Sequence, residues 1–87
     1  MTIRELEALL KENNVSPDMY SLQIDHPFLR DDAGIYIQKK KDGLLYVVWQ
    51  NRADLDIVGT FKDEHSACMC FLKKIAPYAE GLQKYIE

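Results

Sequence analysis

Apolar positions at the start of the chain recur with the spacing of a helix. One stripe of a 3.6-residue period is formed by Ile3, Leu6, Leu9 and Leu10. Thr2 and Glu5 have the spacing of a capping box, in which each side chain accepts a hydrogen bond from the backbone of the other residue. The pattern predicts a helix from about residue 3 to residue 13, ended by the Asn13-Asn14 pair.

The segment after this helix shows little periodicity. Ser16-Pro17-Asp18 has the composition of a helix cap followed by a single turn. Residues 21–34 combine acidic residues, Pro27 and scattered apolar residues, which predicts a loop held to the body of the protein by apolar anchors. A short strand at residues 22–24 is the alternative for part of this loop.

The middle of the chain has the two-residue alternation of β-strands. Segments 35–40 and 44–50 are rich in β-branched and aromatic residues, and the short loop between them ends in glycine, so they predict a β-hairpin. Its inward face is expected to carry Ile35, Ile37, Leu45, Val47 and Trp49. The opposite face carries Tyr36, Tyr46 and Val48, which makes it more apolar than a solvated sheet face requires.

A third alternating segment, residues 55–61, predicts another antiparallel strand. The side chains expected to face inward are Leu55, Ile57 and Phe61. Those expected to face outward are Asp56, Val58 and Thr60. The four glycines of the chain, at positions 34, 43, 59 and 81, all have turn, bulge or cap explanations.

A second helical stripe follows the third strand and completes the predicted fold. Asp63 and Glu64 suit a helix start, and the apolar stripe after them consists of Ala67, Cys68, Phe71, Leu72 and Ile75. Pro77 ends this helix, and a short helical tail with Tyr85 and Ile86 closes the chain. The elements predict an α+β two-layer sandwich of α-β-β-β-α order, with a three-stranded antiparallel meander, as a single domain over residues 1–87.

Composition and charge narrow the classes of partner. With 87 residues, 47% of them apolar and 29% charged, the chain has the balance of one globular domain. A net charge of -3 and a pI near 5.3 disfavour a general nucleic-acid binder, which needs a positive field. Without a long apolar run or the features of a signal peptide, the chain is expected to be cytoplasmic and to have no membrane partner.

Residues that could carry enzymatic or metal chemistry are sparse. The sequence contains no glycine-rich phosphate loop and no hydrolase or metalloprotease motif, so no catalytic site, cofactor or enzymatic activity is expected. His65 and Cys68 share one face of the second helix, but neither Cys70 nor His26 completes a zinc ligand set at a suitable spacing. The two cysteines point in different directions on the helix and are expected to be reduced and partly buried.

The α-β-β-β-α order is also that of double-stranded RNA-binding domains. Those domains grip phosphates through a basic cluster at the start of the last helix. Here that helix opens with Lys62-Asp63-Glu64-His65, whose carboxylates repel a phosphate backbone. The run of cations at residues 39–41 lies at the predicted hairpin tip, so RNA binding is disfavoured.

Acidic residues are concentrated in two stretches. Residues 18–32 carry a net charge of -3 and residues 51–64 a net charge of -2, so the rest of the chain is net positive. If the loop and the third strand lie close together, their carboxylates form an anionic patch beside the aromatic sheet face. The predicted partner-binding residues are Asp25, Asp31, Asp32, Tyr36, Tyr46, Val48, Asp54 and Asp56. An ordinary solvated surface is the alternative.

Several segments resemble one class of small bacterial proteins. They are the first helix through Val15, the Met19–Leu22 and Tyr36–Lys39 segments, the aromatic second strand, and the run from Thr60 into Ile75. Over residues 3–75 these segments are similar to immunity proteins of polymorphic-toxin systems. The resemblance implies an antitoxin that binds and neutralises a cognate protein toxin in the producing cell.

These expectations combine into a hypothesis of inhibition by occlusion. The tyrosines and Val48 supply apolar anchors, and the aspartates supply charge complementary to the basic cleft of a nuclease toxin. Two alternatives stay open. One is a homo-oligomeric module, such as a homodimer, that uses the same aromatic face for self-association, and the other is a regulatory domain that acts on an endogenous protein.

Overall fold

The computed structural model describes residues 1–85 as two helices packed on one face of a four-stranded sheet. The longer elements are α1 (Ile3–Glu12), β1 (Tyr20–Ser21), β2 (Ala33–Lys39), β3 (Leu45–Asn51), β4 (Asp54–Phe61) and α2 (Glu64–Ile75). Single 3₁₀ turns occupy Pro17–Met19 and Ala76–Tyr78, and a longer 3₁₀ segment occupies Glu80–Tyr85. The predicted helical tail is therefore 3₁₀ in form, and Ile86 lies outside the described residues.

The sheet matches the predicted antiparallel meander only in part, because it is a mixed sheet of four strands. The strand order is β1-β2-β3-β4, and β2, β3 and β4 pair antiparallel. The additional strand pairs parallel with β2, with Tyr20 opposite Ile35 and Ser21 opposite Tyr36. The prediction of a three-stranded sheet was therefore wrong, as was the alternative of a strand at residues 22–24. A strand of two residues is too short to produce an alternating pattern in the sequence.

Side-chain caps begin both helices where the sequence predicts. The Thr2 hydroxyl accepts from the Glu5 backbone N–H at 3.2 Å, and the Asp63 carboxylate accepts from the Ser66 N–H at 2.8 Å. The backbone N–H of Ser66, together with its side chain, donates hydrogen bonds that hold the pKa of Asp63 below its usual value. In addition, the Ile3 N–H donates to the Glu64 carboxylate at 2.8 Å, which links the first turns of the two helices.

The core lies between the helices and the face of the sheet that packs against them, here called the inner face. Its fully buried residues come from both helical stripes, from β2 and β3, and from the 3₁₀ segments after α2, and they include Leu6, Ile37, Val47, Phe71 and Leu82. The predicted inward residues of the hairpin are confirmed, with Trp49 only partly buried at the margin. The stripe predicted for the second helix is likewise confirmed, because all five of its residues are buried.

A β-bulge in β4 overturns part of the predicted orientation of that strand. Val47 pairs with Gly59 while Val48 pairs with Ile57, so Val58 is an extra residue without a partner on β3. The bulge reverses the facing of the residues before it. Leu55 and Ile57, predicted to face inward, lie on the opposite face and are 61% and 55% exposed.

Because of the same bulge, two residues that were predicted to face outward lie on the inner side of the sheet. Val58 packs against the core, and Asp56 pairs with Trp49 on the inner side. After the bulge the predicted alternation is restored. Phe61 packs against the core, and Thr60, opposite Tyr46, faces away from the helices.

Candidate protein-binding surface

The sheet face turned away from the helices, here called the outer face, is built from three rows of paired residues. By strand register these rows are Gly34–Gln50–Leu55, Tyr36–Val48–Ile57 and Gln38–Tyr46–Thr60. The register therefore brings the three predicted apolar anchors, Tyr36, Tyr46 and Val48, onto one face. It adds Leu55 and Ile57, which the sequence analysis placed in the core. The isolated Gly59 could have indicated their exposure from the sequence, because an isolated glycine in a strand often marks a bulge and a bulge reverses the facing of the residues before it.

The two halves of the outer face differ in accessibility. Over β2, loop residues Pro27 and Leu29 line a shallow cavity of about 100 Å³ together with Tyr36. Leu29 and Val48 are buried although they lie outside the main core cluster. Burial of this half also raises the pKa of Tyr36. The loop thus covers part of the face, and the half over β4 is open.

Tyr46 is held at the hairpin end of the outer face by two charged neighbours. Its hydroxyl donates to the Asp42 carboxylate at 2.5 Å, and the Lys40 ammonium lies 4.4 Å from the centroid of its ring. The hydrogen bond from Tyr46, followed by one from the Leu44 backbone, lowers the pKa of Asp42. The same hydrogen bond raises the pKa of Tyr46. These two contacts orient the Tyr46 ring at the hairpin end.

Three of the five predicted acidic residues meet at one end of the sheet. The Arg52 N–H donates to the Asp32 carbonyl oxygen at 2.7 Å, so the loop before β2 and the turn before β4 lie side by side. This contact brings together Asp31, Asp32 and Asp54, all exposed, in a cluster here called the acidic end. Arg52 lies in the same turn and offsets one of the three negative charges.

The other two predicted acidic residues lie elsewhere. The Lys39 N–H donates to the Ile24 carbonyl oxygen at 2.9 Å, which places Asp25 near the far end of β2 from the acidic end. Asp56 lies on the inner side of β4, in a groove that it lines with Lys73 and Lys74. The anionic patch predicted from the sequence is therefore divided into three places.

The described chain offers little for metal or thiol chemistry. Among residues 1–85, no three His, Cys, Asp or Glu side chains are grouped so that they could hold a metal ion. Both cysteines are free thiols, and burial raises the pKa of Cys68 to about 11. Burial also raises the pKa of Cys70, against the smaller opposing effect of Lys74 and Lys73. At neutral pH both thiols are protonated and weakly nucleophilic.

A search for membrane-spanning helices and a comparison with known proteins also bear on function. No helix within residues 1–85 combines the length and apolar character needed to cross a bilayer. Comparison with protein families, with curated proteins and with solved structures finds no match for this chain. The outer face and the acidic end beside it are therefore the features of this chain that bear on its function.

Proposed function

We propose that this chain is an immunity protein that binds a cognate bacterial toxin domain and occludes its active cleft. The observation that carries the proposal is the open half of the outer face. There Leu55 and Ile57 expose more than half of their surface. An apolar centre with a charged margin is the arrangement found in specific protein interfaces. The resemblance over residues 3–75 suggests the class of partner.

Charge suggests which toxin surface the outer face would cover. The acidic end lies beside Leu55, because Asp54 precedes it in β4 and the Asp32 loop is hydrogen-bonded to the adjacent turn. Carboxylates at the margin of an interface raise the association rate with a positively charged surface. A nuclease cleft is such a surface because it binds phosphates. The proposal therefore favours a nuclease toxin.

The outer face is also prepared for binding without rearrangement. The Tyr36–Val48–Ile57 row is fixed by strand pairing on both sides of β3, and Val48 at its centre is only 3% exposed. A rigid surface loses little conformational entropy when it binds, which favours affinity. Val48 then acts as support for its exposed neighbours.

The proposal is tested by co-expression with the toxin domain encoded by the adjacent gene. We expect the parent chain to restore growth and to co-purify with the toxin. Ile57→Asp places a charge at the apolar centre and is expected to weaken binding by at least about tenfold. Phe28→Asp is the matched control, because Phe28 is 72% exposed but lies beside α1 and β1. Absence of rescue and of a complex would refute the proposed function.

Charge reversal tests the acidic end separately. The double variant Asp31→Lys and Asp54→Lys is expected to associate with the toxin domain more slowly at low salt. Its dissociation rate from the toxin domain is expected to change little. Asp32 is left unchanged because its φ of 54° is a left-handed conformation that few residues adopt easily. Equal association rates for the parent and the double variant would remove the acidic end from the interface.

The alternative of self-association is resolved by sedimentation of the chain alone. A monomer at all concentrations keeps the outer face free for a different partner. A dimer that Ile57→Asp dissociates and Phe28→Asp does not would assign the face to a second copy of the chain, against the proposal.

A further inference from the structure

Strand β4 is a long edge of the sheet. In the part of the chain that the structure describes, the sheet ends at β4, which pairs only with β3. Alternate residues of this eight-residue strand therefore direct their backbone N–H and C=O groups away from β3, and Asp54–Ile57 are all exposed. An unpaired edge of this kind accepts an added strand from another chain. The opposite edge, β1, has two residues and offers far less pairing.

An apolar groove runs along this edge on the helix side. It is an open space of about 520 Å³ between β4 and α2, here called the edge groove. The strand contributes Val58 and Phe61, and the helix contributes Met69 and Cys70. Val58 reaches this side because of the bulge. The bulge that exposes Ile57 on the outer face therefore also adds an apolar wall to the edge groove.

One end of the edge groove is positively charged. Lys73 and Lys74, both exposed, line it and also line the adjoining groove beside Trp49, where the Asp56 carboxylate offsets one of their two charges. The ion pairs seen within residues 1–85 join other residues, Lys11 with Glu7 and Arg30 with Asp18. Two cations beside an apolar groove complement an acidic, partly apolar ligand.

We propose that β4 and the edge groove bind an extended acidic peptide segment of a partner protein by strand addition. The peptide backbone pairs with the free edge of β4 and becomes a fifth strand. An apolar side chain enters the space bounded by Val58, Phe61 and Met69. A carboxylate of the peptide pairs with Lys73 and Lys74. The edge groove lies on the helix side of the sheet, opposite the proposed toxin-binding face, and peptide binding there does not depend on that function.

The peptide preference can be measured without knowing the partner. The probe is a phage-displayed library of random twelve-residue peptides, selected against the folded chain. We expect the enriched sequences to alternate apolar and other residues and to contain Asp or Glu. A synthetic peptide of the consensus is then titrated by fluorescence anisotropy. Absence of enrichment, or a basic consensus, would overturn the proposal.

Matched variants locate the bound peptide. The double variant Lys73→Glu and Lys74→Glu is expected to bind the consensus peptide at least about tenfold more weakly than the parent chain does. Raising the salt concentration is expected to weaken peptide binding by the parent chain. Lys41→Glu is the control, because Lys41 is an exposed lysine at the hairpin tip and lines neither groove. Met69→Glu tests the apolar wall. Equal loss in the charge variant and the control would overturn the site.

Strand addition has its own signature. In NMR spectra of the complex we expect cross-strand contacts between peptide amides and the amides of residues 54–61. Thermal unfolding of each variant confirms that it is folded before its binding is interpreted. A helical bound peptide, or a dimer of the chain whose formation excludes the peptide, would assign the edge differently and refute the proposal.

Discussion

The inner and outer faces of the sheet are made by alternate residues of the same strands, yet they are covered to different extents. On the inner face Ile35, Ile37 and Val47 are at most 1% exposed, because two helices cover them. On the outer face the loop covers only the half over β2. Leu55 and Ile57 are left in solvent. These two adjoining exposed apolar side chains are the observation behind the proposed binding surface.

The comparison also shows how one residue determines which side chains a strand presents. In β2 and β3 the alternation of apolar residues predicts which of them face the helices, although Val48 on the outer face is also buried. In β4 the extra residue Val58 reverses the facing of the segment before it, so Ile57 leaves the core and Asp56 turns toward the helices. Apolar alternation in an edge strand is therefore a weaker guide to burial than in a central strand.

The largest difference between the two faces is expected from placing the same charge on each. Ile37→Asp puts an unpaired carboxylate into the core, where Ile37 is 0% exposed, and is expected to cost about 4 kcal/mol or more of unfolding free energy. Ile57→Asp is expected to change stability by less than about 1 kcal/mol, because this position is exposed. Urea unfolding measures both. Comparable losses would show that Ile57 is buried and that β4 has no bulge.

A second contrast removes an aromatic ring from each environment. Phe71→Ala empties a fully buried site against Tyr20, whose ring centroid is 6.3 Å away, and is expected to cost about 3–5 kcal/mol. Phe28→Ala removes a ring that is 72% exposed and is expected to cost less than about 0.5 kcal/mol. Thermal or urea unfolding distinguishes them. A large loss for Phe28→Ala would mean that the loop buries this ring in solution.

The third contrast concerns the glycine beneath the loop that covers the outer face. A Cβ on Gly34 would lie 2.1 Å from the Met19 carbonyl oxygen, and its φ is +141°. Gly34→Ala is therefore expected to displace β1 from β2 and to cost about 3 kcal/mol. Gly43→Ala is the control, with a φ of +82° but no atom within 4 Å of the new Cβ, and is expected to cost about 1 kcal/mol. Equal losses would indicate that backbone strain, and not the contact with Met19, decides the effect.

Local signals in the sequence predict much of this fold, and nonlocal contacts explain the errors. The helix caps at Thr2 and Asp63 and the hairpin register depend on residues close in sequence, so their patterns are readable. Strand β1 depends on Tyr20 meeting Ile35, a contact that leaves no periodic pattern. The acidic residues were predicted to form one patch, but the path of the loop places Asp25 and Asp31 at opposite ends of β2.

The smallest expected effect concerns the hydrogen bond that fixes Tyr46 on the outer face. Tyr46→Phe removes the donor to Asp42, and the pKa of Asp42 is expected to rise toward its ordinary value of 3.8. Because the folded-state pKa of Asp42 is lowered, the stabilisation is complete above pH 3.8 and is lost as the pH falls through that lowered value. The pKa of Tyr46 is raised, so the stabilisation is complete below pH 10.0 and is lost as the pH rises through the raised value.

The pH window makes this prediction specific to one pair of residues. A small difference in melting temperature between the parent and Tyr46→Phe is expected at pH 6 and is expected to disappear at strongly acidic pH. The titration of the Asp42 carboxyl carbon by NMR gives the shift directly. Tyr36→Phe is the control, because Tyr36 lies on the same face but makes no hydrogen bond to Asp42 within the described residues. If the titration of Asp42 is the same in the parent and in Tyr46→Phe, then Tyr46 is free to turn. The hairpin end of the outer face would then lack a fixed aromatic side chain.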